Sequence, residues 1–185
     1  MKQKILAIDD EIHMLKLLER IITEKTSYQI LTVNNSLEIP KILEQETFEL
    51  IITDLKMPGM DGLDILRMIK DMNRQEEVII ITAFGSLETA IEALSKGVFD
   101  YITKPFKKEQ IIFTVDRAMK WQKMKLEMAK ISSMFNQEPY ENAQEVFQQE
   151  YLFRLGERYN WDETIMLEKS GLPVEIIRPA IQQKN

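Results

Sequence analysis

Five short runs rich in β-branched residues alternate with amphipathic helical stretches over the first 120 residues of this chain. The runs are mostly apolar, which is typical of strands in a parallel sheet that is covered on both faces. The predicted strands are 4–8, 28–33, 50–53, 78–81 and 98–102, and the predicted helices lie at about 11–25, 36–46, 63–72 and 86–96, with a fifth from residue 107. This order predicts a doubly wound α/β domain with its site at the carboxyl ends of the strands.

Polar residues stand at the ends of four predicted strands. The first runs into Asp9-Asp10, the third into Asp54, the fourth ends in Thr82 and the fifth in Lys104. Taken singly, each is typical of a cap, a turn or a solvated surface, but the ordered set indicates a site. Crowded carboxylates repel one another and need a cation, and oxygen ligands alone favour Mg²⁺. One acid could then become an acyl phosphate, with the lysine and threonine binding phosphoryl oxygens.

Composition excludes several classes of protein. The 185 residues include 24 basic and 30 acidic side chains, for a net charge of −6, and no cysteine. Disulfides, thiolate nucleophiles and zinc–cysteine sites are therefore excluded. No apolar run approaches the roughly 20 residues of a membrane span, and the first ten residues lack a signal-peptide pattern, so we expect a cytoplasmic protein without membrane contacts.

Two stretches resemble a known family. Residues 54–62 read Asp-Leu-Lys-Met-Pro-Gly-Met-Asp-Gly, and residues 99–106 read Phe-Asp-Tyr-Ile-Thr-Lys-Pro-Phe. With them, residues 3–120 resemble the receiver domain of two-component response regulators, and most of all the nitrogen-regulatory activators. The resemblance implies a flavodoxin-like five-stranded fold and a cis bond before Pro105. It also implies a sensor histidine kinase as phosphoryl donor, and no nucleotide-binding GxxxxGK[ST] loop occurs in the sequence.

The resemblance also implies the roles of the acidic residues. Asp54 would be the phosphoacceptor. Asp9, Asp10 and Asp54 would hold Mg²⁺, with the main-chain carbonyl of Lys56 as a further ligand. The chain would not be an enzyme beyond catalysing its own phosphotransfer and slow dephosphorylation. The added charge of about −1.5 to −2 would then bias a two-state equilibrium.

Four further residues concern switching and dephosphorylation. Thr82 and Tyr101 match the family's switch pair, whose hydroxyl moves toward the phosphoryl group while the ring turns inward. Lys56 and Phe84, two positions after Asp54 and Thr82, are expected to modulate hydrolysis, with the Phe84 ring hindering the attacking water. A metal-dependent phosphatase is disfavoured, because such enzymes need a general acid where Lys56 stands.

Ser36 and Ser86 are interpreted as helix N-caps.

A helical pattern continues without Gly or Pro from Lys107 to about Phe135. Its apolar stripe advances 24 residues in seven steps, about 3.4 per step, close to the 3.5 of a left-handed coiled coil. The stripe comprises Ile111, Val115, Ala118, Trp121, Met124, Met128, Ile131 and Phe135. We interpret residues 107–138 as an extended last helix that forms a parallel homodimer seam; the alternative is a helix lying on the chain's own tail.

Residues 139–185 form a predicted helical tail. Helices at about 142–157, 161–169 and 174–183, with a tight turn at 170–173, describe a helix-turn-helix. The apolar spacing around Gly171 resembles the Fis-type DNA-binding domain of the same activators. The ATPase domain that precedes it in those activators is absent from this sequence. We therefore predict a receiver (1–120), the linker helix and a small all-α tail.

The charge of the tail departs from that resemblance. Residues 139–185 contain 5 basic and 8 acidic side chains, a net charge of −3, whereas DNA affinity depends largely on neutralising phosphates. Arg178 and Lys184 are the candidate DNA contacts, and Pro179 removes a hydrogen bond from the recognition helix. Two outputs stay open: a dimeric, weakly DNA-binding transcriptional regulator, or a phosphorylation-gated interaction module whose tail binds another protein.

Overall fold

The computed structural model describes residues 3–135 and 140–182, without the side chains of residues 133–135 and 140. The chain divides into two units, Met1–Lys125 and Leu126–Asn185, which we describe separately. Among the described helices, none is both long and apolar enough to cross a membrane.

A five-stranded parallel sheet forms the centre of the first unit, in the order β2-β1-β3-β4-β5. The strands are β1 Lys4–Ile8, β2 Gln29–Val33, β3 Leu50–Thr53, β4 Glu77–Thr82 and β5 Asp100–Thr103. The strand order reverses between β1 and β3, so a crevice opens at their carboxyl ends. The predicted flavodoxin-like α/β fold is confirmed.

Helices cover both faces of this sheet. They are α1 Ile12–Lys25, α2 Ile39–Gln45, α3 Gly62–Asp71, α4 Leu87–Ser95 and α5 Lys108–Phe135, and a short 3₁₀ turn at Ser36–Glu38 precedes α2. Alternate residues of a strand pack into the hydrophobic cores on opposite faces of the sheet. Ile5 packs with α1 and α5, whereas Leu6 packs with α2, α3 and α4. The inner strands β1, β3 and β4 are buried on both faces, which explains why they are the most apolar of the five.

The first part of α5 completes the receiver core. Ile111, Val115 and Ala118 are buried against the sheet and α1. These three residues are therefore not available to a second chain, which corrects the predicted seam at its beginning. The stripe becomes solvent-exposed from Trp121 onward, and its last member, the Phe135 side chain, lies outside the described residues.

Three helices of the second unit pack around a small core. They are α6 Tyr140–Arg158, α7 Glu163–Ser170 and α8 Val174–Gln182. The core consists of Leu152, Leu155, Met166 and Ile177. Gly171 ends α7 with a left-handed φ of 66°, as expected of a glycine after a helix. The tail is helical where helices were predicted, and its assignment as a DNA-binding helix-turn-helix stays a prediction.

Candidate functional site

Three charged side chains meet at the carboxyl ends of β1, β3 and β5. The Lys104 ammonium nitrogen lies 2.9 Å from Asp9 Oδ2 and 3.2 Å from Asp54 Oδ1. Both acids are almost fully buried, at 2% and 5% exposure. A carboxylate out of water is unfavourable unless it is paired, so the ammonium stabilises the two acids. Asp10 and Glu11 are exposed at the rim, and a Glu11 carboxylate oxygen lies 3.8 Å from the same nitrogen.

Burial and ion pairing act in opposite directions on the pKa values of Asp9 and Lys104. Burial raises the pKa of Asp9, although hydrogen bonds from Lys104 and from the Glu11 main chain lower it. Burial alone lowers the pKa of Lys104, but the hydrogen bond and charge of Asp9 and the charge of Asp54 outweigh burial and raise it. The site therefore favours an additional positive charge.

One oxygen of Asp54 is available for chemistry. Its Oδ2 accepts a hydrogen bond from the Lys56 main-chain N–H at 2.8 Å. Its Oδ1 is buried and lies 3.2 Å from the Lys104 ammonium, and within the described residues no other donor reaches it. This oxygen therefore has room for a second partner, such as a metal cation or a bond to phosphorus.

The donor set fits a hard divalent cation that keeps part of its water shell. Among the described residues, no three acidic or imidazole side chains are grouped as a ready-made metal site. Asp9 and Asp54 offer buried carboxylates, and Mg²⁺ commonly takes one or two carboxylates with several waters. Asp10 and the Lys56 carbonyl stay predicted ligands.

Glycine and capping residues shape the turn from Asp54 into α3. A Cβ at Gly62 would lie 2.5 Å from the Asp54 carbonyl oxygen, so no larger residue fits there without movement. The Gly62 N–H donates to Leu55 O at 3.1 Å. Asp61 and Asp64 form a reciprocal capping box at the start of α3. The motif Met-Pro-Gly-Met-Asp-Gly therefore builds a tight strand-to-helix connection beside the phosphoacceptor candidate.

The predicted switch residues lie at different depths. Thr82 is fully buried at the end of β4, and its Oγ1 accepts a hydrogen bond from the Phe84 N–H at 3.1 Å. The Tyr101 hydroxyl points to α4, where it lies 3.0 Å from Thr89 Oγ1. The Lys104–Pro105 peptide bond is cis, as the resemblance implied.

Sequence reasoning missed the roles of two hydroxyl groups near the site, those of Thr89 and Ser36. The Thr89 hydroxyl links Tyr101 to α4, the helix that Ser86 caps as expected. Ser36 was expected to be an N-cap, but Asn35 caps the 3₁₀ turn instead. The Ser36 side chain reaches the loop after Asp54, a contact across 22 residues that no local pattern signals.

The predicted DNA contacts receive little support from the tail. Arg178 forms an ion pair with Glu163, with 2.7 Å between their side-chain nitrogen and oxygen. The hydrogen bond and charge of Glu163 raise the pKa of Arg178. Lys184 lies outside the described residues.

Comparisons with known proteins identify relatives of the first unit of this chain. Residues 5–116 match the family described as the response regulator receiver domain. The chain is 40% identical over 104 residues to the response regulator protein PilR of Pseudomonas aeruginosa, which covers 56% of this chain and 23% of PilR. It is 35% identical over 112 residues to the DNA-binding transcriptional regulator NtrC of Escherichia coli, covering 60% and 24%. This chain thus spans about a quarter of the length of these curated relatives.

Solved structures show the same fold. A response regulator receiver domain protein from Clostridium thermocellum superposes with a TM-score of 0.60 at 35% identity, over 66% of this chain and 98% of that one. NtrX from Brucella abortus in complex with ADP gives a TM-score of 0.65 at 28% identity, over 71% of this chain and 30% of NtrX.

Proposed function

This chain belongs to the response regulator receiver domain family, and on that premise we propose that a sensor histidine kinase phosphorylates Asp54 in the presence of Mg²⁺. The observation that carries the proposal is the buried Asp54 carboxylate at the carboxyl end of β3, whose Oδ1 lies 3.2 Å from the Lys104 ammonium and, within the described residues, has no other donor. Its relatives PilR and NtrC carry regulator names, which supports a signalling role.

The side chains of the pocket have different roles in phosphotransfer. A carboxylate oxygen of Asp54 attacks phosphorus, an O–P bond forms, and the P–N bond to the kinase imidazole breaks. When bound, Mg²⁺ offsets the negative charge of the acids and the phosphoryl group. The Lys104 ammonium, already 3.2 Å from Asp54, binds a phosphoryl oxygen of the product.

Two hydroxyl groups then report the new charge. Thr82 Oγ1 turns from the Phe84 N–H toward a phosphoryl oxygen. The Tyr101 ring turns inward and leaves Thr89, so the start of α4 changes its contacts. The phosphorylated and free states therefore differ at α4 and β5.

Mass spectrometry of the intact chain with acetyl phosphate and MgCl₂ tests phosphorylation of Asp54. We expect an adduct of about 80 Da on the wild type and none on Asp54→Asn. Asp71→Asn, which removes an exposed carboxylate at the end of α3, is the matched control and should keep the adduct. An equal adduct on Asp54→Asn would contradict the proposal.

For the output, we propose a phosphorylation-controlled homodimer with a transcription-related role. A Fis-like tail with a net charge of −3 would then give only weak DNA binding. A second candidate, a module whose tail binds another protein, is favoured by the ion pair of Arg178 with Glu163, because a paired guanidinium is less available to phosphates.

Salt-titrated binding to random duplex DNA, with and without beryllofluoride, separates the two outputs. A regulator should bind at low salt and lose affinity steeply as salt rises. Glu163→Gln, which frees Arg178, should then increase low-salt binding. If neither the wild type nor Glu163→Gln shows salt-dependent DNA binding, the DNA-binding regulator is eliminated and the protein-interaction module remains.

A further inference from the structure

We propose that Ser36 is a positioning residue that fixes the loop following the phosphoacceptor and thereby sets the affinity of the site for a divalent cation. The proposal rests on the proposed function, since it assigns a residue to the same site. It concerns residues 55–61 of the loop that joins β3 to α3.

A single buried hydroxyl makes two hydrogen bonds to this loop. Ser36 is 3% exposed. Its Oγ donates to the carbonyl oxygen of Pro58 at 2.7 Å and accepts from the N–H of Met60 at 2.9 Å. Because both partners are main-chain groups, the hydroxyl fixes the path of the loop and not merely one side chain.

The surrounding residues leave this hydroxyl free for the loop. The Asn35 side chain accepts the N–H of Leu37 at 3.2 Å, and so caps the 3₁₀ turn in place of Ser36. Gly59 has a left-handed φ of 89°, and a Cβ there would lie 2.9 Å from the Leu37 side chain and 3.1 Å from Ser36 Oγ. A glycine between the two bonded loop residues is what permits the close approach.

The other end of the loop is held by the phosphoacceptor itself. The Lys56 N–H donates to Asp54 Oδ2, and Lys56 carries the main-chain carbonyl that is the proposed metal ligand. The segment between Asp54 and Met60 is therefore fixed at both ends. Loss of the Ser36 anchor lets the loop relax, so the carbonyl samples positions away from the cation. Partners that orient ligands in this indirect way commonly change metal affinity by about 10–100-fold.

Isothermal titration of the full chain with MgCl₂ tests the proposal on the wild type and Ser36→Ala. We expect the Mg²⁺ dissociation constant of Ser36→Ala to rise by about tenfold. We also expect faster hydrogen exchange at the Met60 amide in the metal-free protein, a readout that does not depend on phosphorylation.

Ser170→Ala is the matched control. Its hydroxyl also donates to one main-chain carbonyl, Met166 O at 2.6 Å, and accepts one main-chain N–H, Leu172 at 3.1 Å, but it lies in the second unit. We expect this variant to bind Mg²⁺ like the wild type. Ser36→Thr, which keeps the hydroxyl, should bind more tightly than Ser36→Ala.

The outcomes separate this inference from the proposed function. If the wild type binds Mg²⁺ and forms the Asp54 adduct while Ser36→Ala binds Mg²⁺ equally well, the positioning role is wrong and the proposed function stands. An equal loss of affinity in Ser170→Ala would also overturn it. If the wild type binds no Mg²⁺ and forms no adduct, both proposals fail.

Discussion

Lys104 acts as the internal cation of the acidic pocket in the absence of metal. Its side chain is 11% exposed and lies within ion-pair distance of two buried acids. In Lys104→Gln we expect the free energy of unfolding without metal to fall by about 1–3 kcal/mol, since the carboxylates then repel one another unopposed. MgCl₂ should restore more stability to this variant than to the wild type.

Urea unfolding curves in EDTA and in MgCl₂ measure both effects of Lys104→Gln. Lys108→Gln is a suitable control, because Lys108 pairs with Glu24 at 3.4 Å on the surface, where such pairs contribute little. A loss of stability in Lys104→Gln no larger than in this control would show that the ammonium does not hold the pocket together.

Phe84 offers a test of how water reaches the acyl phosphate. Phe84 is 65% exposed, and its N–H donates to Thr82 Oγ1, so it lies next to the buried end of β4. In Phe84→Ala we expect phospho-Asp54 to hydrolyse about three to ten times faster, because the attacking water is no longer hindered. Phe113→Ala removes an equally exposed ring on α5 and should leave the rate unchanged. Loss of the mass adduct over time gives both rates, and equal rates would contradict this role.

The residues of the pocket could be predicted where they follow strands, and not where they depend on a distant loop. Asp9, Asp54 and Lys104 converge because parallel strands end at one edge of the sheet. Ser36 was misassigned because two capping residue types, Asn and Ser, stand side by side, and only the folded chain shows which one caps. Its bonds to Pro58 and Met60 arise from tertiary packing.

At the scale of elements, the start of α4 and the ring of Tyr101 share one hydroxyl. Thr89 Oγ1 accepts the Ser86 N–H at 3.0 Å as part of the capping box, and it also lies 3.0 Å from the Tyr101 hydroxyl. An inward turn of the ring must therefore break the contact between Tyr101 and a residue of the helix cap. This couples the proposed switch residue to the helix without a long chain of contacts.

Removal of the Thr89 hydroxyl should shift this equilibrium. In Thr89→Val we expect acetyl phosphate to phosphorylate Asp54 several-fold faster, because one hydrogen bond of about 1 kcal/mol no longer holds Tyr101 outward. Ser95→Ala removes a hydroxyl at the other end of α4, which donates to Glu92 O, and serves as control. Initial rates of adduct formation measure the effect, and a rate equal to that of the control would argue against the coupling.

The helix α5 shows what an apolar period does not reveal. A stripe with about 3.4 residues per step runs along its length, yet Ile111, Val115 and Ala118 serve the receiver core while Trp121 and Met124 are exposed. An apolar stripe on a helix has a similar spacing and hydrophobicity whether the helix packs on a sheet or on a second helix. Trp121 is exposed although its neighbour Gln122 is buried and Lys125 pairs with Glu77 of β4, so the stripe turns away from the receiver before the helix leaves it.

For the whole molecule, the boundary between units falls inside α5, after Lys125. The exposed members of the stripe are Trp121, Met124, Met128 and Ile131. Exposed apolar residues at coiled-coil spacing on one helix are disfavoured in water unless a partner covers them. A parallel second copy would cover them, and the flexible methionines could adapt to either signalling state.

Charge introduced into the exposed stripe tests the homodimer. In the double variant Met124→Glu, Met128→Glu we expect the dimer dissociation constant to rise by at least about tenfold, because two carboxylates per chain would meet in the seam. The monomer should stay folded, since both side chains are already exposed. Met72→Glu, an exposed position on the receiver, controls for added charge. Light scattering over a concentration series, with and without beryllofluoride, measures the assembly state. A wild type that stays monomeric at every concentration would refute the seam. Equal dissociation of the Met72→Glu dimer would assign the effect to net charge.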